Sequence, residues 1–286
     1  MSEVTKFNPE GVGVWSDPRQ FEVTAERIAA YAAATNDPIA AHLSGEIAPP
    51  VFAVVPVFDI LLSQLFAVAP DTIAPFVLHG EQDFQFHRPI KAGDALTSRG
   101  KVIGYSAKPS GTVGCVYIET HDAAGELVNE QYVSTFIRGI DAGETVGDLA
   151  PSHSFDEAAR AHAPAAKVVQ HVDDDQTFRY SPASGDPMPI HLDEEFAKSV
   201  GLPGIIAHGL CTMAFTSWAA LTELGNGHTA RLRRLAVRFS KPVLPGQDIE
   251  STFFAVGSNA GETSYAYETR VGEDVVIKDG LAVFSD

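Results

Sequence analysis

An internal repeat constrains this chain more than any other feature of its sequence. The segment YAAATNDPIAAH at residues 31–42 aligns with YSPASGDPMPIH at residues 180–191, and both copies keep a Tyr, an Asp-Pro pair and a His. FHRPIKAGD at residues 86–94 aligns with FSKPVLPGQ at residues 239–247. A third pair of segments, YIET and AYET, follows in the same order. Three collinear matches predict that the chain contains two copies of one structural unit.

The domain boundaries follow from this repeat. Residues 141–173 have no partner segment and are rich in Gly, Pro and Ala, which is typical of a linker. We therefore expect an amino-terminal repeat over residues 1–140, a linker over residues 141–173 and a carboxy-terminal repeat over residues 174–286. The length of 286 residues fits two units, because one domain commonly takes about 150 residues.

Each copy shows the same order of predicted elements. A short strand and a capped helix are followed by an irregular Gly/Pro loop, a long apolar helix and a run of strands. The long helices are predicted at residues 51–68 and 210–224. An apolar helix followed by antiparallel strands buries itself against their sheet, so the fold class is α+β, made twice. Pro56 and Asp59 interrupt the first apolar stretch, which favours a buried helix over a membrane span.

Composition excludes several classes of partner. The chain has 37 acidic and 20 basic residues, a net charge of −17, which disfavours binding to nucleic acid or to an anionic membrane. The first ten residues, MSEVTKFNPE, lack the pattern of a signal peptide, so a cytoplasmic protein is expected. No HExxH or CxxC motif predicts a metal site, and no GxSxG, Walker or GxGxxG motif predicts a hydrolase, an NTPase or a dehydrogenase.

The strongest candidate for chemistry is the pair Asp186 and His191. Pro187 and Pro189 exclude a regular helix between them, so the segment is predicted to be a fixed loop whose two side chains face one cavity. A carboxylate and an imidazole around one water form a competent acid/base pair. The alternative is that Asp186 only caps a turn and His191 lies on the surface.

A second candidate is the pair His208 and Gly209 at the start of the second apolar helix. The free backbone N–H of a glycine at a helix start, with the helix dipole behind it, suits a thioester carbonyl that becomes an enolate. The alternative is that Gly209 allows tight packing and His208 is a core histidine.

A basic cluster on an acidic chain is the third candidate. Such a cluster could bind a phosphorylated ligand such as the nucleotide end of CoA, or it could be a strand edge protected by charge. Its members lie within eleven positions: Arg231, Arg233, Arg234, Arg238 and Lys241.

These motifs resemble a known family. SGDPMPIHLDEEFA, followed by IAHGLCTMAF and RFSKPVLPGQ, is similar to the MaoC-like R-specific enoyl-CoA hydratases, also called hydratase 2. LHGEQDFQF and HRPIKAGD resemble the amino-terminal half of the two-repeat members, so the resemblance covers most of the chain outside the linker. It implies a double hot-dog fold, in which each repeat wraps a sheet around a long helix.

The resemblance also implies an activity. Asp186 and His191 match the catalytic dyad, and Gly209 matches the glycine whose N–H binds the oxyanion. The reaction is the reversible syn addition of water to a trans-2-enoyl-CoA, which gives the (3R)-3-hydroxyacyl-CoA without a metal or redox cofactor. Met188 and His208 are expected to contact the substrate, and a homodimer is compatible with the family.

Two departures from the family pattern matter. Met188 replaces the usual Asn that helps to hold the attacking water, which predicts either slower hydration or an enlarged apolar lining for bulky acyl chains. In the first repeat, Asp37 and His42 remain, but Val55-Pro56 stands where the second repeat has His208-Gly209. A proline has no N–H to donate, so the first repeat is predicted to be degenerate and to shape the acyl pocket.

Two alternatives to the CoA hydratase stay open at the level of sequence. A non-catalytic acyl-CoA-binding protein would explain Met188 as a sign of lost chemistry. A dehydratase acting on acyl-carrier-protein thioesters would use the basic cluster to contact an acidic carrier.

Overall fold

The structure, a computed structural model, describes residues 6–286 apart from the side chains of residues 71, 74 and 75. In the first repeat, short helices precede a four-stranded antiparallel sheet, to which a short strand is added. The elements are β1 (Arg19–Glu22), α1 (Ala25–Ala34), α2 (Ala40–Leu43), a 3₁₀ helix (Pro50–Val57), α3 (Phe58–Val68), β2 (Val77–Phe86), β3 (Ala95–Lys108), β4 (Gly111–His121) and β5 (Leu127–Arg138).

The second repeat has the same order of elements and a longer central helix. Its elements, with the connecting strand β6 (Thr145–Gly147), are β7 (Ala166–His171), α4 (Gln176–Ser184), α5 (Glu194–Ser199), α6 (Gly209–Glu223), β8 (Leu232–Phe239), β9 (Asp248–Asn259), β10 (Glu262–Val271) and β11 (Asp274–Ser285). The predicted α+β fold, with one long apolar helix buried against an antiparallel sheet in each repeat, is confirmed.

One antiparallel sheet runs through both repeats, and β2 pairs with β8 where they meet. In this ladder Glu81 lies opposite Arg238, and Gln85 lies opposite Arg234. The repeat offset of 153 residues makes Glu81 equivalent to Arg234 and Gln85 equivalent to Arg238. Exchanging the two repeats therefore turns each of these pairs into the other. An internal pseudo-twofold axis therefore passes through the middle of this ladder, at Asp83.

The same axis passes between two buried tyrosines. Tyr31 on α1 and Tyr180 on α4 are 149 residues apart, and their hydroxyl oxygens lie 3.1 Å from each other. Their rings meet edge to face with centroids 5.5 Å apart. Each hydroxyl thus satisfies the other in an apolar core, which explains why both copies of the repeated segment begin with Tyr.

The first apolar stretch differs from the predicted single helix over residues 51–68. Residues Pro50–Val57 form a 3₁₀ helix, and the α-helix begins only at Phe58, because the ring of Pro56 lacks an N–H for an α-helical hydrogen bond. By length and composition Pro50–Val68 could cross a membrane, but 61% of it is buried inside the protein. Its apolar side chains pack in the two cores of the fold.

The segment predicted as a linker contains two strands. Strand β6 pairs with β3 of the first repeat, and β7 pairs with β9 of the second. Along β7 only alternate side chains point inward, with Val168 partly buried and Gln170 buried, which is the two-residue period of an edge strand. Between them, His153 is buried and its Nδ1 donates to the carbonyl of Asp279 at 2.6 Å, so this connection packs along the second repeat.

Candidate functional site

The loop after α4 holds Asp186 in a defined orientation. Gly185 ends the helix with a left-handed conformation (φ 84°), and the carboxylate Oδ1 of Asp186 accepts the N–H of Met188 at 3.0 Å. The hydroxyl of Ser181 donates to the carbonyl of Asp186 at 2.7 Å. The turn expected as an alternative role of Asp186 is therefore present, and the same carboxylate also lines a cleft.

His191 lies on the opposite side of this turn, at the end of the 3₁₀ helix Pro189–His191, and it is buried. Its Nδ1 lies 2.8 Å from the carbonyl of Ile206. Because a carbonyl can only accept, Nδ1 carries the hydrogen, and Nε2 of the neutral ring is the free lone pair. Burial lowers the pKa of His191, which keeps the ring neutral, and burial raises the pKa of Asp186 against the opposing effect of His191.

His208 is stacked on His191. Their ring centroids are 3.8 Å apart with an angle of 25° between the planes, and His208 Nε2 donates to the carbonyl of Asp186 at 3.3 Å. Burial lowers the pKa of His208 to about 3, so its ring is uncharged at neutral pH. His208 is thus a buried core histidine, as the alternative expected, and it also lies beside Asp186 and His191.

Gly209 is the first residue of α6, with His208 as its N-cap. The N–H of a first helical residue has no acceptor within the helix, and it lies at the positive end of the helix dipole. A Cβ atom at this position would lie 3.2 Å from the ring of Phe239. The glycine therefore provides both an available N–H and the space for close packing.

These groups meet in a cleft of about 480 Å³ between the two repeats. The second repeat contributes the polar wall with the dyad, and the first repeat contributes an apolar wall with a few polar side chains. The lining residues are Val54, Val57, Phe58, Leu61, His79, Gln82, Gln131, Val133, Asp186, His191, His208, Gly209 and Leu210. The first repeat thus lines the cleft beside Asp186 and His191, and its role as an acyl pocket stays a prediction.

Three polar side chains of this lining were given no role from the sequence: His79, Gln82 and Gln131. Burial lowers the pKa of His79 to about 4, so this histidine too is neutral. Both His79 and Gln82 lie in the segment LHGEQDFQF, which supports the family resemblance. Polar side chains on a strand that also carries the buried Phe84 are the signal that could have indicated His79 and Gln82.

Three buried atoms around the cleft have no hydrogen-bond partner among the residues that the structure describes. They are His79 Nε2, Gln82 Oε1 and His208 Nδ1. Buried polar atoms usually have partners, since leaving one unpaired costs about 1–3 kcal/mol. Three of them along one cleft indicate a site for a polar ligand.

Asp186, His191 and His208 also approach the arrangement of metal ligands. Each offers one ligand atom, and these atoms lie within 4.8 Å of one another. A carboxylate and two neutral imidazoles suit a divalent cation such as Zn²⁺. The metal-free reaction expected from the sequence therefore stays a prediction, and a chelator tests it.

Most of the basic cluster is neutralised within the protein. Arg234 makes a two-pronged ion pair with the buried Asp83, at 2.7 Å for the shortest contact. Arg238 pairs with Glu81 and Asp279, and Lys241 pairs with Asp274. These charges hold the junction between the repeats or a surface turn, and none of the three side chains lines the cleft.

Two members of the cluster make contacts with backbone carbonyls instead. Arg231 donates to the carbonyl of Ser285 at 2.9 Å, and Arg233 donates weakly to that of His87 at 3.4 Å. Among the described side chains no carboxylate pairs with Arg233, and Arg233 does not line the cleft. The phosphate contact expected of the basic cluster stays a prediction.

Met188 does not contribute its side chain to the cleft lining. The residue is 42% exposed, and its backbone N–H is the part that contacts Asp186.

The first repeat keeps an Asp/His pair whose hydrogen bonds differ from those of Asp186 and His191. Asp37 and His42 are buried, with 2.7 Å between Asp37 Oδ2 and His42 Nδ1. His42 Nε2 lies 2.7 Å from the hydroxyl of Thr229, which comes from the second repeat. Both ring nitrogens are thus occupied by protein groups, whereas His191 keeps one nitrogen for the cleft.

The fold and this site define a class of protein, the double hot-dog proteins with an acid/base dyad in a cleft between the repeats. Comparison with known proteins agrees with that class. The profile of the MaoC-like domain matches residues 155–277, and that of the FAS1-like dehydratase domain region matches residues 10–131. The second repeat thus matches the MaoC-like dehydratase domain, and the resemblance predicted from the sequence is confirmed.

Individual relatives support the same assignment. The chain is 28% identical to the 3-hydroxyacyl-thioester dehydratase Y of Mycobacterium tuberculosis, over 97% of this chain and 98% of the relative. It is 30% identical over 79% of its length to the peroxisomal multifunctional enzyme type 2 of Drosophila melanogaster, of which it spans 39%.

The solved structures agree on the fold. A MaoC-like dehydratase from Phytophthora capsici superposes with a TM-score of 0.80 at 25% identity, and the match covers 97% of both chains. The predicted double hot-dog fold is confirmed. Together the relatives support a hydration or dehydration reaction on an acyl thioester.

Proposed function

We propose that this protein hydrates trans-2-enoyl-CoA to (3R)-3-hydroxyacyl-CoA and catalyses the reverse dehydration. One observation carries the proposal: Asp186, His191 and the N–H of Gly209 line one cleft, which has an apolar wall for an acyl chain. This combination of base, acid and oxyanion donor is what addition of water to an enoyl thioester requires.

The protonation states of His191 and Asp186 assign a role to each side chain. In the neutral pair His191 presents a lone pair at Nε2, and Asp186, whose pKa is raised by burial, can carry a proton. His191 takes a proton from water as its oxygen bonds to C3, the electrons of the double bond move to C2 and the thioester oxygen, and Asp186 delivers a proton to C2. The developing negative charge on the thioester oxygen is stabilised by the N–H of Gly209.

The intact dyad favours an enzyme over a protein that only binds acyl-CoA. A protein that had lost catalysis would have no need to hold His191 neutral through its Nδ1. The contact of Nδ1 with the carbonyl of Ile206 is nevertheless present at 2.8 Å. The choice of CoA over a carrier protein, the R configuration, a cytoplasmic location and a homodimer stay predictions.

The test is loss of the enoyl thioester absorbance with a purified trans-2-enoyl-CoA, followed by chiral analysis of the product. Asp186→Asn and His191→Ala should each lower kcat by roughly 10²–10⁴-fold, which is the usual contribution of an acid/base group. The matched control is Asp37→Asn, because it changes the equivalent carboxylate of the first repeat and should leave kcat unchanged. Wild-type rates in the folded Asp186 and His191 variants would refute the site.

Two further arms of the same assay test its chemistry. Activity should persist after treatment with EDTA, and a loss restored by Zn²⁺ would show that the three ligand atoms hold a metal. An acyl-carrier-protein substrate turned over faster than its CoA counterpart would favour the carrier-protein dehydratase.

A further inference from the structure

The first repeat presents a fully buried amide to the cleft. Gln82 on β2 is 0% exposed and belongs to the cleft lining. Its Oε1 is inaccessible to solvent and accepts no hydrogen bond from the described residues. An amide oxygen in that position is stable when a ligand or a water donates to it.

The orientation of this amide follows from a chain of contacts that starts at a backbone carbonyl. Gln131 Nε2 lies 2.7 Å from the carbonyl oxygen of Ala53, and since that oxygen can only accept, the Gln131 atom is its nitrogen. Gln131 Oε1 then accepts from Gln82 Nε2 at 3.3 Å. Gln82 Oε1 is therefore the atom left for the cleft.

The position of Gln82 complements that of the dyad. Asp186 and His191 come from the second repeat and Gln82 comes from the first, and all three line the same cleft. A water molecule that gives one hydrogen to His191 Nε2 directs its second hydrogen about 109° away, because its donors are tetrahedral. An acceptor from the first repeat suits that second hydrogen.

The other two unpartnered atoms fit this role less well. His208 is stacked on His191 and is tied to the carbonyl of Asp186, so it belongs to the same wall as the dyad. His79 packs its ring edge to face against Phe239, with centroids 5.1 Å apart. It lies beside the Gln82 side chain and the backbone of Glu81, which raise the pKa of His79 against the larger effect of burial, so it belongs to the same wall as Gln82.

We propose that Gln82 Oε1 accepts a hydrogen bond from the O–H that stays on the substrate as the 3-hydroxyl. Gln82 is thereby a catalytic residue supplied by the repeat that lacks an oxyanion glycine, and Gln131 is its positioning residue. This inference rests on the proposed hydratase function. It predicts that the first repeat takes part in water recognition as well as in shaping the acyl pocket.

The experiment replaces Gln82 by Met, which keeps the approximate volume and removes the acceptor. Loss of this hydrogen bond should lower kcat for hydration roughly tenfold, while KM for the enoyl-CoA stays within about twofold. In dehydration the bond is already present in the bound 3-hydroxyacyl-CoA, so KM for that substrate should rise roughly tenfold and kcat should stay within about twofold. Gln170→Met is the matched control. Gln170 is also buried, donates to the carbonyl of Phe215 at 2.7 Å and has an unpartnered Oε1, but it lies outside the cleft lining.

A binding measurement separates recognition of the hydroxyl from a general disturbance of the cleft. In the Asp186→Asn background, calorimetry compares a (3R)-3-hydroxyacyl-CoA with the saturated acyl-CoA of equal length. Adding Gln82→Met should weaken binding of the hydroxylated ligand roughly tenfold and leave the saturated ligand unchanged. Should Gln82→Met fail to fold, Gln82→Asn withdraws the same oxygen by one methylene and should give the same pattern.

The outcomes separate the two proposals. If the wild type hydrates enoyl-CoA and the Gln82 variants keep its kcat and its preference for the hydroxylated ligand, the inference about Gln82 is wrong and the hydratase function stands. Equal weakening of both ligands would make Gln82 a structural residue. Absence of hydration by the wild type would refute the proposed function itself.

Discussion

Met188 shows how a residue can matter through its backbone alone. Its N–H holds the carboxylate of Asp186 at 3.0 Å, whereas its side chain is 42% exposed. An asparagine at this position would make the same backbone contact. The structure therefore argues against a large role for the thioether in the acyl pocket.

We predict that Met188→Asn is nearly neutral. The free energy of unfolding should change by less than about 0.5 kcal/mol, as is usual for exposed positions, and KM should stay within about twofold across a series of chain lengths. Steady-state kinetics with short and long enoyl-CoA substrates checks this. Lost affinity for the long substrates alone would place the Met188 side chain in the acyl pocket.

Two adjacent arginines should differ sharply. Arg234→Gln leaves Asp83 as an unpaired buried charge and should lower the free energy of unfolding by about 3–5 kcal/mol. Arg233→Gln should leave stability unchanged but raise KM for an enoyl-CoA about tenfold, the value of a hydrogen bond to a charged group. A truncated pantetheine thioester is the control substrate, and an equal rise for both substrates would contradict a phosphate contact at Arg233.

At the scale of the element, the start of α6 combines close packing with a backbone N–H at the cleft. The helix begins at the residue that lines the cleft, and the ring of Phe239 fills the space above it. In the first repeat the corresponding position is Pro56, inside a 3₁₀ helix that delays the α-helix to Phe58. One repeat therefore presents a free N–H at its helix start, and the other presents a ring without one.

Gly209→Ala should lower kcat by roughly ten- to hundredfold, because the new Cβ would lie 3.2 Å from Phe239 and would displace the N–H by a few tenths of an ångström. The measurement is kcat together with thermal unfolding, which should change little. Combining it with Phe239→Leu should restore part of the rate, with Phe239→Leu alone as control. Full activity of Gly209→Ala would exclude this N–H as the oxyanion donor.

At the scale of the whole molecule, the two Asp/His pairs make different contacts. His42 connects Asp37 of its own repeat to Thr229 of the other, so it ties the repeats together through buried contacts. His191 contacts the protein through one nitrogen and leaves the second for the cleft. The same residue types at equivalent positions thus connect the two repeats in one half and, under the proposed function, carry out the chemistry in the other.

This division predicts opposite results for two matched variants. His42→Ala should lower the free energy of unfolding by about 3–5 kcal/mol, since it leaves a buried carboxylate without its partner, and should leave kcat within about twofold of the wild type. His191→Ala should instead lower kcat strongly and change the free energy of unfolding little. Chemical denaturation and kcat, measured on both, check the pair, and a large loss of activity in folded His42→Ala would bring the first-repeat pair into the reaction.

Much of this arrangement could be predicted from the sequence. The repeat predicted the symmetry, and the Pro-flanked spacing predicted that Asp186 and His191 face one cleft. Residues from the opposite repeat could not be found in this way: Thr229 beside His42, or Gln82 in the cleft of the dyad. Local patterns report helix and strand period, whereas contacts between repeats depend on the pairing of β2 with β8, which pairs residues about 150 positions apart. A short strand before the capped helix was predicted for each repeat, but β7 lies inside the segment predicted as a linker, because an edge strand carries only a weak pattern.

The symmetric ladder between β2 and β8 has a consequence for how such a chain can change. In a dimer of identical subunits every substitution occurs in both subunits, so a change that improves one copy of a site also alters the other copy. Here the two halves share one backbone but are encoded separately. Pro56 stands in one half at the position that Gly209 holds in the other, and each half can be altered alone in the laboratory. Libraries that vary only Val54–Leu61 would reshape the acyl wall while the residues of the dyad stay as they are.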